Sequence, residues 1–359
     1  MLFPFPRMFS LLKTPVRHAW WSGCLLVMLA VPALATENPA PPALSVDGNR
    51  IINAAGETVV LRGVSIADPH KLNNDGQWGE ALFDELAGNW HVNHVRIPVH
   101  PKWWRERGAD QYLDWIDQAV AWARERGLYL IIDWHSIGYL GNDHYTRDIY
   151  ETSLAETRAF WEQVSSRYAG ESTIAVYELY NEPTLDGGRP DEATLAAWSA
   201  TLESLIDLVR ENDPDTIPLV AGFNWAYDLT AFERHPVKRE GIAYASHPYP
   251  QKVRFDEPTP DEDWFAAWEA DWGVMAARHP IIATELGWVA EGGRGAHIPV
   301  IDDGRYGPRI VRYMESRGIS WTAWCFDPRW SPVLIEDWEF TPSEQGEFFK
   351  AQFRQLNAP

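Results

Sequence analysis

Cysteine is nearly absent, with two in 359 residues. Cys24 falls in a segment that reads as a removable leader, which leaves Cys325 alone, so no intrachain disulfide is expected and stability must come from core packing. No Cys/His spacing of the zinc type occurs, and no glycine-rich loop that would cradle a phosphate. Basic charge is scarce: 31 Lys and Arg against 51 Asp and Glu give a net charge of −20. Such a surface repels nucleic acid and anionic lipid, and it suits a neutral substrate. The apolar stretch over 19–34 is interrupted by Pro32 and falls short of the roughly 20 apolar residues a membrane span needs. No tandem repeat or Ser/Thr/Pro-rich linker breaks the rest of the chain.

Apolar residues make up 45% of the chain, a globular composition far from disorder. Twenty tryptophans are more than a core requires, and they suit a cleft that stacks flat, hydroxylated rings. The first 35 residues have the layout of an export signal: Arg7, Lys13 and Arg17, then the apolar run, then Ala33-Leu34-Ala35 as a small-x-small cleavage site. The expected location is secreted or periplasmic, with no stable membrane association after cleavage. Residues 36–43 (TENPAPPA) read as a short linker, and 44–359 as one domain.

Turn signals at Asp47-Gly48 and Ala55-Gly56 predict a small β-hairpin over 44–63. Apolar, strand-like runs then recur at 60–67, 91–99, 128–135, 174–182, 217–225, 241–249, 280–288 and 319–327. Helix-period stretches separate most of them. In 191–211, Leu195, Trp198, Leu202, Leu205, Ile206 and Val209 share one face, with Asp191 as N-cap; 150–168 behaves likewise. Gly127, Gly170 and Gly318 stand where a C-cap glycine would close a helix. The helix after the fifth strand (226–240) is the weakest, and 343–354 reads as the eighth. Eight near-continuous apolar strands alternating with helices predict an α/β fold, an eight-stranded parallel β/α (TIM) barrel with a short N-terminal β-hairpin.

In such a barrel, side chains at the C-terminal strand ends converge on one face. The polar and aromatic residues there are Arg96, His135, Asn181, Glu182, His247, Tyr249, Glu285 and Trp324. Singly, each has an ordinary structural explanation: an ion pair, a satisfied core histidine, a turn before a helix. Together, at one end of six strands, they form a site. Glu182 and Glu285 close separate strands, and two such carboxylates are the minimum equipment for cleaving a glycosidic bond.

The motifs YELYNEPT (177–184), ATELGW (283–288), VRIPV (95–99), DWHS (133–136), SHPY (246–249) and SWTAW (320–324) together resemble glycoside hydrolase family 5 of clan A, in order across about 44–355. The resemblance implies a retaining, endo-acting hydrolase of a β-linked polysaccharide or oligosaccharide. β-1,4-Glucan is the first expectation, β-mannan or another β-glucan the alternative; a non-catalytic sugar-binding barrel is the contrasting class. It implies Glu182 as acid/base and Glu285 as nucleophile, with Asn181 bonding the 2-hydroxyl of the sugar being cleaved. Arg96 and Tyr249 would orient the nucleophile, His135 and His247 would contact the sugar or the acid/base, and Trp324 would form the floor. No metal or cofactor enters that mechanism, and a monomer suffices for it. Ala175 departs from the larger aliphatic residue usual in related sequences.

Physical chemistry points the same way. A nucleophile must stay ionised, which a neighbouring guanidinium favours, so the glutamate nearer Arg96 is the expected nucleophile. A carboxylate about 5 Å away helps the general acid keep its proton by like-charge repulsion. Loops on the catalytic face carry Trp78, Trp103, Trp104, Tyr139, His144, Trp225, Tyr227, Trp288, Trp330 and Trp338. Of these, Trp225 and Trp288, directly after strands, are the chosen sugar-stacking residues, while Trp103 and Trp104 are expected to be partly structural. The acid run Asp256-Glu257…Asp261-Glu262-Asp263 reads as a solvated loop capping a helix.

Overall fold

β1 (Leu44–Asp47) turns through Gly48, at φ +61°, and pairs antiparallel with β2 (Arg50–Asn53), as the Asp-Gly signal predicts. The chain then lays down β3 (Arg62–Ile66), β4 (His94–Val99) and β5 (Tyr129–Trp134). Two short strands, β6 (Ile137–Tyr139) and β7 (His144–Tyr145), precede β8 (Ile174–Glu178) and the two-residue β9 (Glu182–Pro183). β10 (Ile217–Ala221), β11 (Ala243–Ala245), β12 (Ile281–Leu286) and β13 (Ser320–Phe326) complete the set. β3, β4, β5, β8, β10, β11, β12 and β13 pair in parallel in that order, and β13 pairs back to β3. The expected eight-stranded barrel is therefore closed.

The computed structural model describes residues 40–359 except 186–187, 256–258, 291, 294, 296–303 and 359. The chain divides into two compact units, Met1–Glu37 and Asn38–Pro359, and every described residue lies in the second. The export-signal segment and residues 36–39 of the linker lie outside the described residues, as do Asp256 and Glu257 of the acid run. Among the described residues no helix is long and apolar enough to cross a membrane.

The barrel strands are buried along their whole length, apart from half-buried Arg62 at the start of β3, because both faces pack. Ile131, Val176, Leu219, Ala243 and Ile282 meet in one apolar cluster that also takes in Leu44 and Ile51 of the hairpin. Ala175 belongs to this cluster, so its small size bears on packing and not on chemistry. A second, larger cluster joins the strands to the helices, including Trp161 and Trp198, whose indole N–H groups donate to the carbonyls of Leu179 and Ala221. Asp191 caps the helix Glu192–Asn212 by accepting from the Thr194 N–H, and Ser153 caps Leu154–Arg167 from the Glu156 N–H. Gly127, Gly170 and Gly318 take φ of +65°, +76° and +64° just after helices, where a Cβ would be strained. After β10 only Ala231–Arg234 is helical, and an extended loop occupies the rest of that connection. The last helix is Glu344–Leu356.

One feature has no counterpart in the expected pattern. β6, β7 and β9 form a small sheet above the barrel, in which the Glu182 N–H donates to the Ser136 carbonyl at 3.0 Å and the Thr184 N–H to Gly138 at 3.0 Å. Gly138 is required there, since a Cβ would lie 2.1 Å from the His144 carbonyl oxygen. This sheet fixes the backbone of Glu182 to the loop after β5.

Candidate active site

Arg96, on β4, is fully buried, and its donors are all directed at partners from other strand ends. Nε donates to Glu178 Oε2 at 2.6 Å, Nη1 to Glu285 Oε1 at 3.0 Å and to Ser65 Oγ at 3.4 Å, and Nη2 to Asn181 Oδ1 at 2.7 Å. Nη2 also lies 2.9 Å from Asp133 Oδ2. The guanidinium thus bonds Glu285, as the resemblance implies, and is shared with two further carboxylates, Asp133 and Glu178. It also fixes the Asn181 amide: Arg96 only donates, so Oδ1 faces it and Nδ2 turns away, buried with no partner among the described residues.

Glu285 ends β12 with both oxygens engaged, Oε1 by Arg96 and Oε2 by the Tyr249 hydroxyl at 2.9 Å. Burial pushes its carboxyl above the ordinary range, and Glu182 adds to this, while His247, Arg96 and the Tyr249 hydrogen bond pull it back. Glu182 Oε1 lies 2.9 Å from His247 Nδ1. Polar atoms of Glu182, His247 and Glu285 all lie within 4.8 Å of one another.

The tautomer of His247 follows from a chain of bonds. Thr284 Oγ1 donates to Glu178 Oε1 at 2.7 Å, so it must accept from His247 Nε2, 2.9 Å away. Burial opposes a charge on this imidazole, but Glu285, Glu178 and Glu182 outweigh it and push its pKa up to about 9. Both ring nitrogens then donate, Nδ1 to Glu182 and Nε2 to Thr284, with Glu285 3.9 Å from Nδ1, so the imidazole offers no lone pair to a cation. Burial works against the charge of Glu178 too, yet Arg96 and His247 hold its pKa below the ordinary value.

His135 follows β5, with Nδ1 2.6 Å from Asp133 Oδ2. Burial, helped by His100, Arg96 and His247, drives its pKa well down, so the ring is neutral and donates to Asp133. It stacks on Trp324, centroids 5.6 Å apart and planes at 6°. Trp324 stacks in turn on Trp330 at 6.0 Å and 12°. A cleft of about 430 Å³ runs over these groups, lined by His135, Tyr150, Asn181, Glu182, Trp225, Tyr249, Lys252, Glu285 and Trp324. A larger depression of about 880 Å³ lies at the opposite end of the barrel, between the hairpin and the starts of β10 and β11, far from the glutamate pair.

Of the eight residues named at strand ends, all meet in this cleft or in the hydrogen-bond network beneath it. The loop aromatics, Trp225 apart, do not. Trp288 requires a correction: its ring packs on Tyr306, Phe348 and Phe349, under the last helix, because the chain turns back toward the outer layer after β12. Trp104 is buried among Tyr112, Trp134 and Phe160. Trp78 packs on Phe83 and Trp122, and Trp103 lies between His70 and Trp330. Tyr139 packs on Trp198 and Phe223, and Tyr227 bonds Asp271. His144 is paired in the small sheet, and Trp338 lies beneath Lys71. Trp225 alone of that group lines the cleft. Asp261–Asp263 open the helix Asp261–Asp271, with Asp261 paired to Arg309 and Arg312.

Asp133, Tyr150, Glu178, Lys252 and Thr284 were not foreseen. A charged residue inside an apolar strand was the available signal for Asp133 and Glu178, since burial without partners would be costly. Lys252 and Tyr150 carried none.

Comparison with known proteins places this geometry. Residues 52–329 match the family model described as cellulase (glycosyl hydrolase family 5). Endoglucanase E-5 of Thermobifida fusca is 27% identical over 298 residues, 78% of this chain and 55% of that protein. Endoglucanase N of Pectobacterium atrosepticum is 25% identical over 296 residues, 78% of this chain and 56% of that one. The chain thus spans about half the length of these relatives. A crystal structure of a β-glucanase from Saccharophagus degradans superposes with a TM-score of 0.86 at 52% identity, over 89% of this chain and 95% of that one. The same β-glucanase has also been solved in complex with cellotetraose.

Proposed function

The chain belongs to glycosyl hydrolase family 5, and from that premise we propose that residues 44–359 are a catalytic barrel that cleaves β-1,4-linked glucan internally, with retention of anomeric configuration. The observation that carries this reading is the glutamate pair itself: one oxygen of each carboxyl group lies within 4.8 Å of the other, close to the separation of about 5–5.5 Å of retaining enzymes and short of the 6.5–9.5 Å of inverting ones. The cellotetraose bound to the Saccharophagus degradans β-glucanase, 51% identical in that complex, supports a β-1,4-glucan over a mannan.

In the first step Glu285 attacks the anomeric carbon. The bond to the leaving oxygen breaks as Glu182 gives that oxygen its proton, and a glycosyl ester forms on Glu285. Arg96 and Tyr249, one on each oxygen, favour the ionised form of Glu285 against the effect of burial and aim its carboxylate. His247 positions Glu182, while Thr284 and Glu178 hold His247. In the second step Glu182 takes a proton from water, the water oxygen bonds to the anomeric carbon, and Glu285 is released. The unpaired Asn181 Nδ2–H suits the 2-hydroxyl of the sugar, an interaction that strengthens as charge develops. Trp324 and His135 form the floor of the cleft on this side.

The leader-like segment 1–35 fits a secreted or periplasmic enzyme, as does an acidic surface facing a neutral polymer. A reducing-sugar assay over a panel of β-glycans, beside a Glu285→Gln control, tests the assignment. Release from β-1,4-glucan, abolished in the variant, is the expected result. No release from any β-glycan, or equal release by the variant, would overturn it.

A further inference from the structure

The loop after β10 contains three consecutive non-glycine residues in the left-handed region: Asn224 at φ +61°, Trp225 at +56° and Ala226 at +56°. Each carries a Cβ that disfavours this conformation, so surrounding contacts must hold the turn in place. Two are backbone bonds to the catalytic loops: the Trp225 N–H donates to the Pro183 carbonyl at 3.1 Å, and the His247 N–H to the Ala226 carbonyl at 3.1 Å. The third is a side chain. Lys252 Nζ donates to the Asn224 carbonyl at 2.7 Å and lies 3.3 Å from its Oδ1, while sitting 4.8 Å from the centroid of the Trp225 ring.

No carboxylate among the described residues is within ion-pair distance of Lys252, although it lines the cleft. Burial lowers its pKa to about 8, with Glu182 pulling the other way, so it is a cation at neutral pH. An ammonium group has three donors, and Asn224 uses two at most. Beside it, Gln251 lines the same cleft, its Oε1 buried with no partner among the described residues. Donor, acceptor and aromatic face therefore lie together on the Glu182 side, apart from the Trp324–His135 floor. Glu182 faces the leaving oxygen, so this side receives the leaving sugar.

We propose that Lys252 is a positioning and specificity residue for the leaving group: it pins the left-handed turn so that Trp225 presents its face to the departing sugar, and it donates its remaining N–H to a hydroxyl of that sugar. The inference rests on the retaining-hydrolase reading above. The same side would take an acceptor sugar in the reverse sense. There a hydroxyl of the acceptor attacks the anomeric carbon, the ester to Glu285 breaks, and the hydroxyl proton passes to Glu182.

The test compares wild type with Lys252→Met on two substrates, cellotetraose and 2,4-dinitrophenyl β-cellobioside, whose phenolate leaves without a sugar on that side. The ratio of kcat/KM for cellotetraose to that for the aryl substrate should fall by about 10- to 100-fold, the effect of losing a hydrogen bond to a charged group. Transfer to added cellobiose, relative to hydrolysis, should fall with it. Should the Met variant fold poorly, Lys252→Gln supplies the same ratio. An unchanged ratio, whether activity is retained or lost equally on both substrates, would overturn the assignment. Wild-type protein inert on both substrates would instead sink the hydrolase reading.

Discussion

Replacing His247 by Gln should remove a share of stability that depends on pH. The imidazole is fully buried, 2.9 Å from Glu182, 2.9 Å from Thr284 and 3.9 Å from Glu285. Burial disfavours its charge, but the three surrounding glutamates raise its pKa from 6.5 to about 9. A group whose pKa is raised by folding stabilises fully below its unfolded value, so the contribution is complete below pH 6.5 and is lost as pH rises through 9. Across that gap, at about 1.4 kcal/mol per pH unit, it amounts to about 3 kcal/mol. Lys252 acts in the opposite sense over an overlapping range, because folding lowers its pKa from 10.5 to about 8. Its unfavourable contribution is full below pH 8 and fades as pH rises toward 10.5, so the raw stability curve mixes the two. Subtracting the His247→Gln variant from wild type at each pH cancels the lysine. Urea unfolding of both proteins between pH 6 and 9.5 should show the difference shrinking by about 3 kcal/mol. A difference constant to about 0.5 kcal/mol would mean that His247 is neutral throughout, and its Nδ1 would then accept from Glu182 instead of donating to it.

Tyr249→Phe deletes the hydroxyl on Glu285 Oε2 and should lower kcat/KM about 10- to 100-fold with the fold intact; a loss below about threefold would remove that bond from the chemistry. Glu178→Gln leaves Arg96 short of a buried counter-charge and should cost about 3–5 kcal/mol, seen as a lower urea midpoint; an unchanged midpoint would contradict the network. Trp288→Ala should cost about 3–5 kcal/mol of stability with KM unmoved, whereas Trp225→Ala should raise KM more than it lowers kcat. The reverse pattern would overturn the placement of both rings.

The barrel was legible because parallel strands buried on both faces are written as continuous apolar runs. Their ends were less so: the run 241–249 holds only three residues of strand, β11, and His247 and Tyr249 lie beyond it. That did not mislead, because both still turn into the site. The sharing of Arg96 was hidden because a polar residue in an apolar strand does not announce its partner, and Glu178 and Asp133 come from different strands. Trp225 and Trp288 occupy equivalent positions after strands, yet only the first faces the cleft. What separates them is tertiary: one is pulled over the cleft by a left-handed turn bonded to Pro183, the other is covered by the last helix. In Asn224-Trp225-Ala226 only the asparagine favours a left-handed conformation, and no glycine marks the turn. The sheet that anchors Glu182 was equally silent, its strands being two or three residues long.

The most direct test of the central claim is the anomer that appears first. A proton NMR time course of cello-oligosaccharide hydrolysis should show the β-anomer of the new reducing end ahead of mutarotation, because Glu182 and Glu285 stand close enough for one sugar linkage to touch both. Initial release of the α-anomer would mean direct attack by water and would contradict the assignment of Glu285 as nucleophile.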